Sequence, residues 1–321
     1  MFATLLGALP RPPLPEGAPR DELVEVAVRA QETAGLDPVT DAGQRGDPPG
    51  LDGEDGRPGD AAHLAAIWEA TQRLTVRAVK QALVGPYTLG RSGGGRVRDR
   101  RTATLEAARY LNGVLRELGA AGCPLIEVHE PSAVSIGADA AERNLFAEAH
   151  RRLLDGVDGT HRSLAVTGGN ADGAGIETIL GAPYDSLAVD LIAGPDNWRL
   201  VVNAPGDRGI VCGALSAASD SDDGPELLLW AVAYAASSGG RGPERVGLAT
   251  ASSLAELPWA TAVRKLERLG DAARLIGLPR DERLQALDPR AVSSRSAALG
   301  RVEPRPTRAA ADERDRGRDR T

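Results

Sequence analysis

The chain is poor in aromatic residues: Phe, Trp and Tyr make up 3% of it. A core without rings must be built from aliphatic side chains, and Ala, Leu, Val and Gly supply them. Lysine is scarce as well. Lys80 and Lys265 are the only two, and arginine carries the rest of the positive charge. Together with abundant Ala, Gly and Pro, that preference reads as the coding bias of a GC-rich genome, not as a binding device. A basic excess is missing: the net charge is −7 at pH 7. This argues against non-specific nucleic-acid binding, which needs a basic face, and the tryptophans lie apart and offer no stacking ladder for bases. Cysteine is limited to Cys123 and Cys212, too few for a disulfide framework and suited to a reducing cytoplasm. No apolar run reaches the ~18 residues of a membrane span. No basic stretch precedes the short apolar run at the N-terminus, as a signal peptide would require. A cytoplasmic location and a small-molecule substrate are therefore expected, with neither nucleic acid nor membrane as partner. Nothing in the residues fixes the oligomeric state.

What is present alternates between short apolar strands and amphipathic helices. Phe2–Gly7 reads as a first buried strand, closed by Gly7 and the PRPPLP run. Asp21 can cap the helix Glu22–Ala34, which Gly35 ends. Leu36–Asp41 is the second strand, followed by a Gly-, Pro- and Asp-rich loop to Asp60. A helix from Ala61 to Ala78, the strand Gln81–Gly85, the loop GRSGGGR and the helix Thr102–Gly119 come next, the last with Leu105, Ala108, Leu111 and Leu115 on one face. Further strands are expected at Pro124–Val128, Thr160–Gly169, Tyr184–Leu191, Gly209–Ala214 and Arg245–Ala249, with helices at Ala140–Leu154, Glu226–Ser237 and Trp259–Ile276. Eight strands mostly alternating with helices match an α/β protein with a (β/α)8 TIM barrel. The rival doubly wound sheet lacks its glycine-rich phosphate turn after the first strand. Residues 1–280 thus form one barrel domain. Residues 281–321 form an extension whose charged tail, from Pro304 on, is expected to be disordered, its opposite charges interleaved.

Several segments resemble the C-terminal domain of cobalamin-independent methionine synthase, a zinc methyltransferase family. The stretches are TLLGALPRP, GLDPVTDAGQR, VKQALVGPYTL, AAGCPLIEVHEPSA and GDRGIVCG, in that order along the chain. The resemblance implies a TIM barrel of transferase ancestry. It also implies where ligands should stand: a His-x-Cys pair at His161 and Ser163, a glutamate at Asp190 and a cysteine at Ser252. Zinc needs soft thiolates with an imidazole, and serine hydroxyls are poor replacements. No cofactor is therefore expected, and zinc is disfavoured. The family's substrate contacts align with Ala8, Gly43 and His129, its folate-stacking tryptophan with Ser92, and its proton-shuttling histidine with Ala214.

On this reading Asp41, Arg45, His129, Glu130, His161, Asp190 and Cys212 face the C-terminal mouth, where barrel enzymes place their chemistry. His161 and His129 are the candidate general bases. Asp190 could orient an imidazole, and Cys212 could be a nucleophile or metal ligand. Asp41, Arg45 and Glu130 are the candidate substrate contacts. Lys80 and Glu130 are expected to make internal polar contacts, Cys123 to be structural, and His63 and His150 to lie on the surface. Three functions fit: a repurposed barrel enzyme doing acid–base or group-transfer chemistry on a small metabolite, a methyltransferase with a changed metal site, and an inert partner or regulatory subunit.

Overall fold

The computed structural model describes residues 1–46, 61–92, 97–218, 224–279 and 282. Most of the expected loop over 41–60, residues 93–96 of the glycine-rich loop and the charged tail lie outside the described residues. Seven parallel strands form one sheet: β1 (Phe2–Thr4), β2 (Lys80–Val84), β3 (Leu125–His129), β4 (His161–Val166), β5 (Ser186–Asp190), β6 (Gly209–Leu215) and β7 (Val246–Thr250). Their spatial order is β1-β7-β6-β5-β4-β3-β2.

The second expected strand, Leu36–Asp41, makes one parallel bridge, Val39 to Val79. It nevertheless joins the two edges of the curled sheet. Asp37 N–H donates to Ala3 O of β1 at 2.9 Å, Val39 N–H donates to Ala78 O at 3.0 Å, and Lys80 N–H of β2 donates to Val39 O at 2.9 Å. Pro38 keeps the segment from being a regular strand, because it has no N–H to give to a ladder.

Helices cover the outside: α1 (Arg20–Ala34), α2 (Ala61–Gln72), α3 (Pro86–Ser92), α4 (Val97–Ala120), α5 (Ala140–Leu153), α6 (Ile176–Leu180), α7 (Trp198–Asn203), α8 (Pro225–Ser237) and α9 (Trp259–Gly277). In α1 the buried residues Leu23, Val24, Ala27, Val28, Gln31 and Ala34 follow the helical repeat, and Gly35 ends the helix in the left-handed region at φ 88°. Gln31 is buried, and its side-chain amide locks the helix to the bridging segment: Nε2 donates to Thr40 O at 2.8 Å and Oε1 accepts from Thr40 N–H at 3.0 Å. In α5 the Asp139 side chain caps the first turn by accepting from Ala141 N–H and Glu142 N–H.

The apolar residues divide into two groups. The larger lies between sheet and helices. The smaller lies inside the curl: Leu6, Ala165, Ala188, Val211 and Ala249, with Phe2 against them. The inner residues are mostly small. At Gly247 even a methyl group would lie 2.5 Å from the Phe2 ring. Polar side chains, among them Glu127, Ser163 and Ser186, line the rest of the interior.

Candidate functional site

The strands' two ends separate residues that the sequence reading had gathered at one mouth. His161 is the first residue of β4 and pairs with Leu125, the first residue of β3. It therefore stands at the N-terminal end of the sheet. His129 is the last residue of β3 and pairs with Ala165. Four residues along a strand amount to about 13 Å, so the two imidazoles cannot serve one reacting bond. The expectation that His161 faces the C-terminal mouth is corrected. The C-terminal end of β4 is Val166, followed by Thr167, Gly168 and Gly169.

At the C-terminal end His129 is the chemically equipped group. Its Nε2 lies 2.7 Å from Glu127 Oε1, because alternate residues of a strand share a face. Glu127 in turn receives both hydrogen bonds of the Lys80 ammonium, at 2.8 and 2.9 Å. Lys80 and Glu127 are 2% and 1% exposed. Burial alone would raise the Glu127 carboxyl, but the Lys80 charge and the His129 hydrogen bond outweigh it and hold the group down at about 2. Burial pulls the Lys80 ammonium below the usual lysine range against the opposing Glu127 charge. The doubly hydrogen-bonded geometry is that of an ionised pair. With Glu127 ionised, Nε2 of His129 is the donor and Nδ1 is left as the basic nitrogen. The sequence reading expected internal polar contacts for Lys80 and named no partner for it. The alternation Glu127-Val128-His129, opposite a lysine at a strand start, was the overlooked signal.

The other candidates are committed to structure. Asp190, 2% exposed, accepts from the N–H groups of Gly168, Ile192 and Ala193 at 3.0, 2.9 and 2.8 Å. Its oxygens shape the turns after β4 and β5 and reach no histidine. Glu130 is fully buried and lies outside the substrate space. Its carboxylate accepts from Tyr87 N–H, Thr88 N–H and the Thr88 hydroxyl, capping α3. Gly85 makes room for it, since a Cβ there would stand 2.2 Å from Glu130 Oε1. Cys212 is fully buried with its Sγ toward Ala231 O of α8 at 3.8 Å. Burial pushes the thiol up to about 12, so it is a core residue and not a nucleophile.

Arg45 pairs with Asp21 at 2.6 Å and donates to the Thr71 hydroxyl, leaving Asp41 without it as an ion-pair partner. Asp41 sits beyond the end of β1, where Leu9 N–H donates to Ala42 O, and its Oδ1 accepts from Gly43 N–H at 3.1 Å. Burial raises its carboxyl above the ordinary aspartate range, against Gly43 N–H and the Arg45 charge. His150 is buried, not superficial: its Nδ1 is 2.7 Å from the Tyr184 hydroxyl. His63 is exposed.

Zinc of the kind the resemblance implies does not fit these residues. His161 and Ser163 lie toward the N-terminal end of the sheet, Asp190 and Ser252 at the other, and the Asp190 oxygens are held by backbone. Among the described residues no group of three or more His, Cys, Asp or Glu side chains is placed to hold a metal ion.

The N-terminal end holds a cavity of about 610 Å³. Glu127, Ser163 and Ser186, all buried, line its inner wall, and His161, Asp207, Arg208, Glu244 and Arg245 lie toward its rim. His161 Nε2 is 2.9 Å from the Ser186 hydroxyl, and burial lowers the imidazole from its ordinary range despite the nearby Asp185 charge. The rim is braced by Arg241, 1% exposed, whose guanidinium donates to the carbonyls of Arg208, Ala235 and Ala204 at 2.8, 2.8 and 3.1 Å. No carboxylate faces it in these bonds. Its charge instead meets carbonyls at and beyond the C-terminal ends of α7 and α8.

No family model matches the chain, and no curated protein sequence matches it. Solved structures do. A B12-independent methionine synthase from Shewanella sp. W3-18-1, solved in complex with selenomethionine, superposes with a TM-score of 0.71 at 16% identity, over 89% of this chain and 99% of that one. A putative vitamin-B12 independent methionine synthase from Listeria monocytogenes gives 0.63 at 14% identity, over 85% and 97%. A methyltransferase from Methanosarcina mazei gives 0.57 at 14%, over 86% and 95%. At these identities the likeness is one of fold, and it agrees with the resemblance carried by the five sequence stretches.

Proposed function

We propose that the chain is a divergent methionine-synthase-like (β/α)8 barrel, with residues 36–41 as its eighth strand. It is an enzyme that acts on a small metabolite by acid–base chemistry at the C-terminal mouth. One observation carries the reading: a strand-end imidazole held by a buried, ionised carboxylate that is itself pinned by a buried ammonium. That arrangement fixes the tautomer of His129 and leaves Nδ1 to take a proton from a bound O–H, N–H or C–H group. The Glu127 charge stabilises the imidazolium that results. Glu127 and Lys80 are positioning residues. Asp41, at the same end of the sheet and with its carboxyl biased toward the protonated form, is the candidate substrate contact.

The fold of the similar structures supports small-molecule chemistry at that end. The substitutions at Ser163 and Ser252 argue that the ancestral zinc-dependent transfer is gone. A methyltransferase with a changed metal site has no donor cluster among the described residues to favour it. A catalytically inert partner would have no use for a buried ion pair aimed at an imidazole.

The test is 15N NMR of the histidine rings, followed by titration with a panel of small thiols, amino acids and hydroxy acids. The expected result is an Nε2–H tautomer for His129, with its resonances shifting on binding of a panel member, and loss of turnover of that compound in His129→Asn. An Nδ1–H tautomer, or a His129 ring that no compound perturbs, would overturn the reading.

A further inference from the structure

The cavity at the N-terminal end of the sheet takes no part in the chemistry proposed for the mouth, yet it is built like a binding site. Barrel interiors are ordinarily packed with layers of branched aliphatic side chains. Here the inward positions carry Ser163, Ser186 and Gly209, and a Cβ on Gly209 would stand 3.0 Å from that of Ser186. The 610 Å³ left open falls in the range of small-molecule sites, about 300–1,000 Å³. Ser163 is 1% exposed, lines this space, and its hydroxyl is buried without a hydrogen-bond partner. A buried hydroxyl left unpaired in a folded protein calls for an explanation, and a bound molecule supplies one.

The lining defines the chemistry of that molecule. Its charges are balanced: Arg208 and Arg245 at the rim stand with Asp207 and Glu244, the Glu127 carboxylate is matched by Lys80, and Asp185 is matched by Arg162 at 3.0 Å. An anion would face several carboxylates, and a polyamine would face two guanidinium groups. The polar wall consists of hydroxyls and the carboxylate of Glu127, whose Oε2 takes one bond from Lys80, with the His161 imidazole, which partial burial biases toward its neutral form, at the open end. Hydroxyl groups suit such a wall, because each can donate to the carboxylate or imidazole and accept from serine. The lining also carries apolar surface, from the Phe2 ring and the side chains of Leu125 and Val211, which matches the C–H face of a ring.

We propose that this cavity is a second ligand site, binding a small uncharged polyhydroxylated molecule of the monosaccharide or cyclic-polyol class. Ser163 and His161 recognise its hydroxyls, and Arg241 acts as a positioning residue for the rim. The site shares only Glu127 with the mouth and does not depend on the activity proposed there.

The experiment uses the full chain and reads the His161 ring resonances and the thermal midpoint during titration with D-glucose, D-fructose and myo-inositol. Inorganic phosphate and putrescine serve as the charged probes. The expected result is saturable binding of at least one polyol that shifts His161. Binding should weaken tenfold or more in Ser163→Ala, which removes the hydroxyl and adds no atom, and likewise in Ser186→Ala. It should be unchanged in His129→Asn, so that failure of the mouth chemistry and failure of this site are told apart. If no polyol moves His161, if only phosphate or putrescine does so, or if Ser163→Ala binds as wild type, the proposal is overturned.

Discussion

The Lys80–Glu127 pair gives the sharpest test of the reasoning about the interior. Both side chains are buried, at 1% and 2% side-chain exposure, with Nζ 2.8 Å from Oε1. Removing one partner of such a pair strands the other charge, and costs about 3–5 kcal/mol in comparable cases. Lys80→Met should therefore lose about that much at pH 7, read as a lowered urea midpoint. The pH dependence provides the signature. In the wild type the Glu127 carboxyl is lowered to about 2. Its contribution, about 3 kcal/mol from the size of that shift, is fully present above the unfolded carboxylate value, and is lost as pH falls from about 4.5 toward 2. In Lys80→Met the carboxyl is raised by burial instead, so the deficit against wild type should shrink as pH falls through the same window. A double replacement, Lys80→Met with Glu127→Leu, removes both charges and fills the space with apolar atoms, and it should recover most of the loss. A single variant within about 1 kcal/mol of wild type at pH 7, or a double variant whose losses add, would refute the ionised buried pair, and with it the fixed tautomer of His129.

Three further outcomes follow. Cys123 and Cys212 are both buried, with burial raising their thiols to about 11 and about 12, so neither should react with a thiol reagent such as Ellman's in the native state, and both should react in denaturant; native labelling of Cys212 would reopen it as a nucleophile. Gly85→Ala should cost about 2–4 kcal/mol, because its Cβ would displace the Glu130 carboxylate from the first turn of α3. Gly113→Ala in α4, where a Cβ meets nothing within 4 Å, should stabilise by about 0.5–1 kcal/mol; equal effects in a urea titration would contradict the packing. His161 has a lowered folded value, so the fold favours its neutral form: its contribution is intact above the unfolded value and is lost as pH falls below it. His161→Gln should flatten the decline in urea midpoint between about pH 7.5 and 5.5, and an unchanged slope would show the ring to be freely solvated.

Strand and helix alternation was legible because the outward faces of the strands and the inward faces of the helices are continuous apolar surfaces, and those residues dominate the pattern. The position of Leu36–Asp41 was legible for the same reason, although Pro38 denies it a regular ladder. The short helices were not. α3, α6 and α7 are too brief to show a periodicity, and α3 owes its first turn to Glu130, a residue more than forty positions away. The site was read less well than the fold, and His161 shows why. A histidine opening an apolar run and a histidine closing one, as His129 does, look alike as strand-edge residues, but they stand at opposite ends of a parallel sheet. Only the direction of the chain through the strand separates them. The motif spacing His161-Arg162-Ser163 drew attention to the N-terminal end of the sheet. The alternation of Glu127 and His129, inside the family-like stretch AAGCPLIEVHEPSA, lies at the C-terminal end. Under the acid–base function proposed above, the strand-terminal residue with a same-face carboxylate two positions earlier is a better guide to the chemistry than alignment to the His-x-Cys motif. The carboxylate's partner, here Lys80, is found by asking which neighbouring strand must neutralise it.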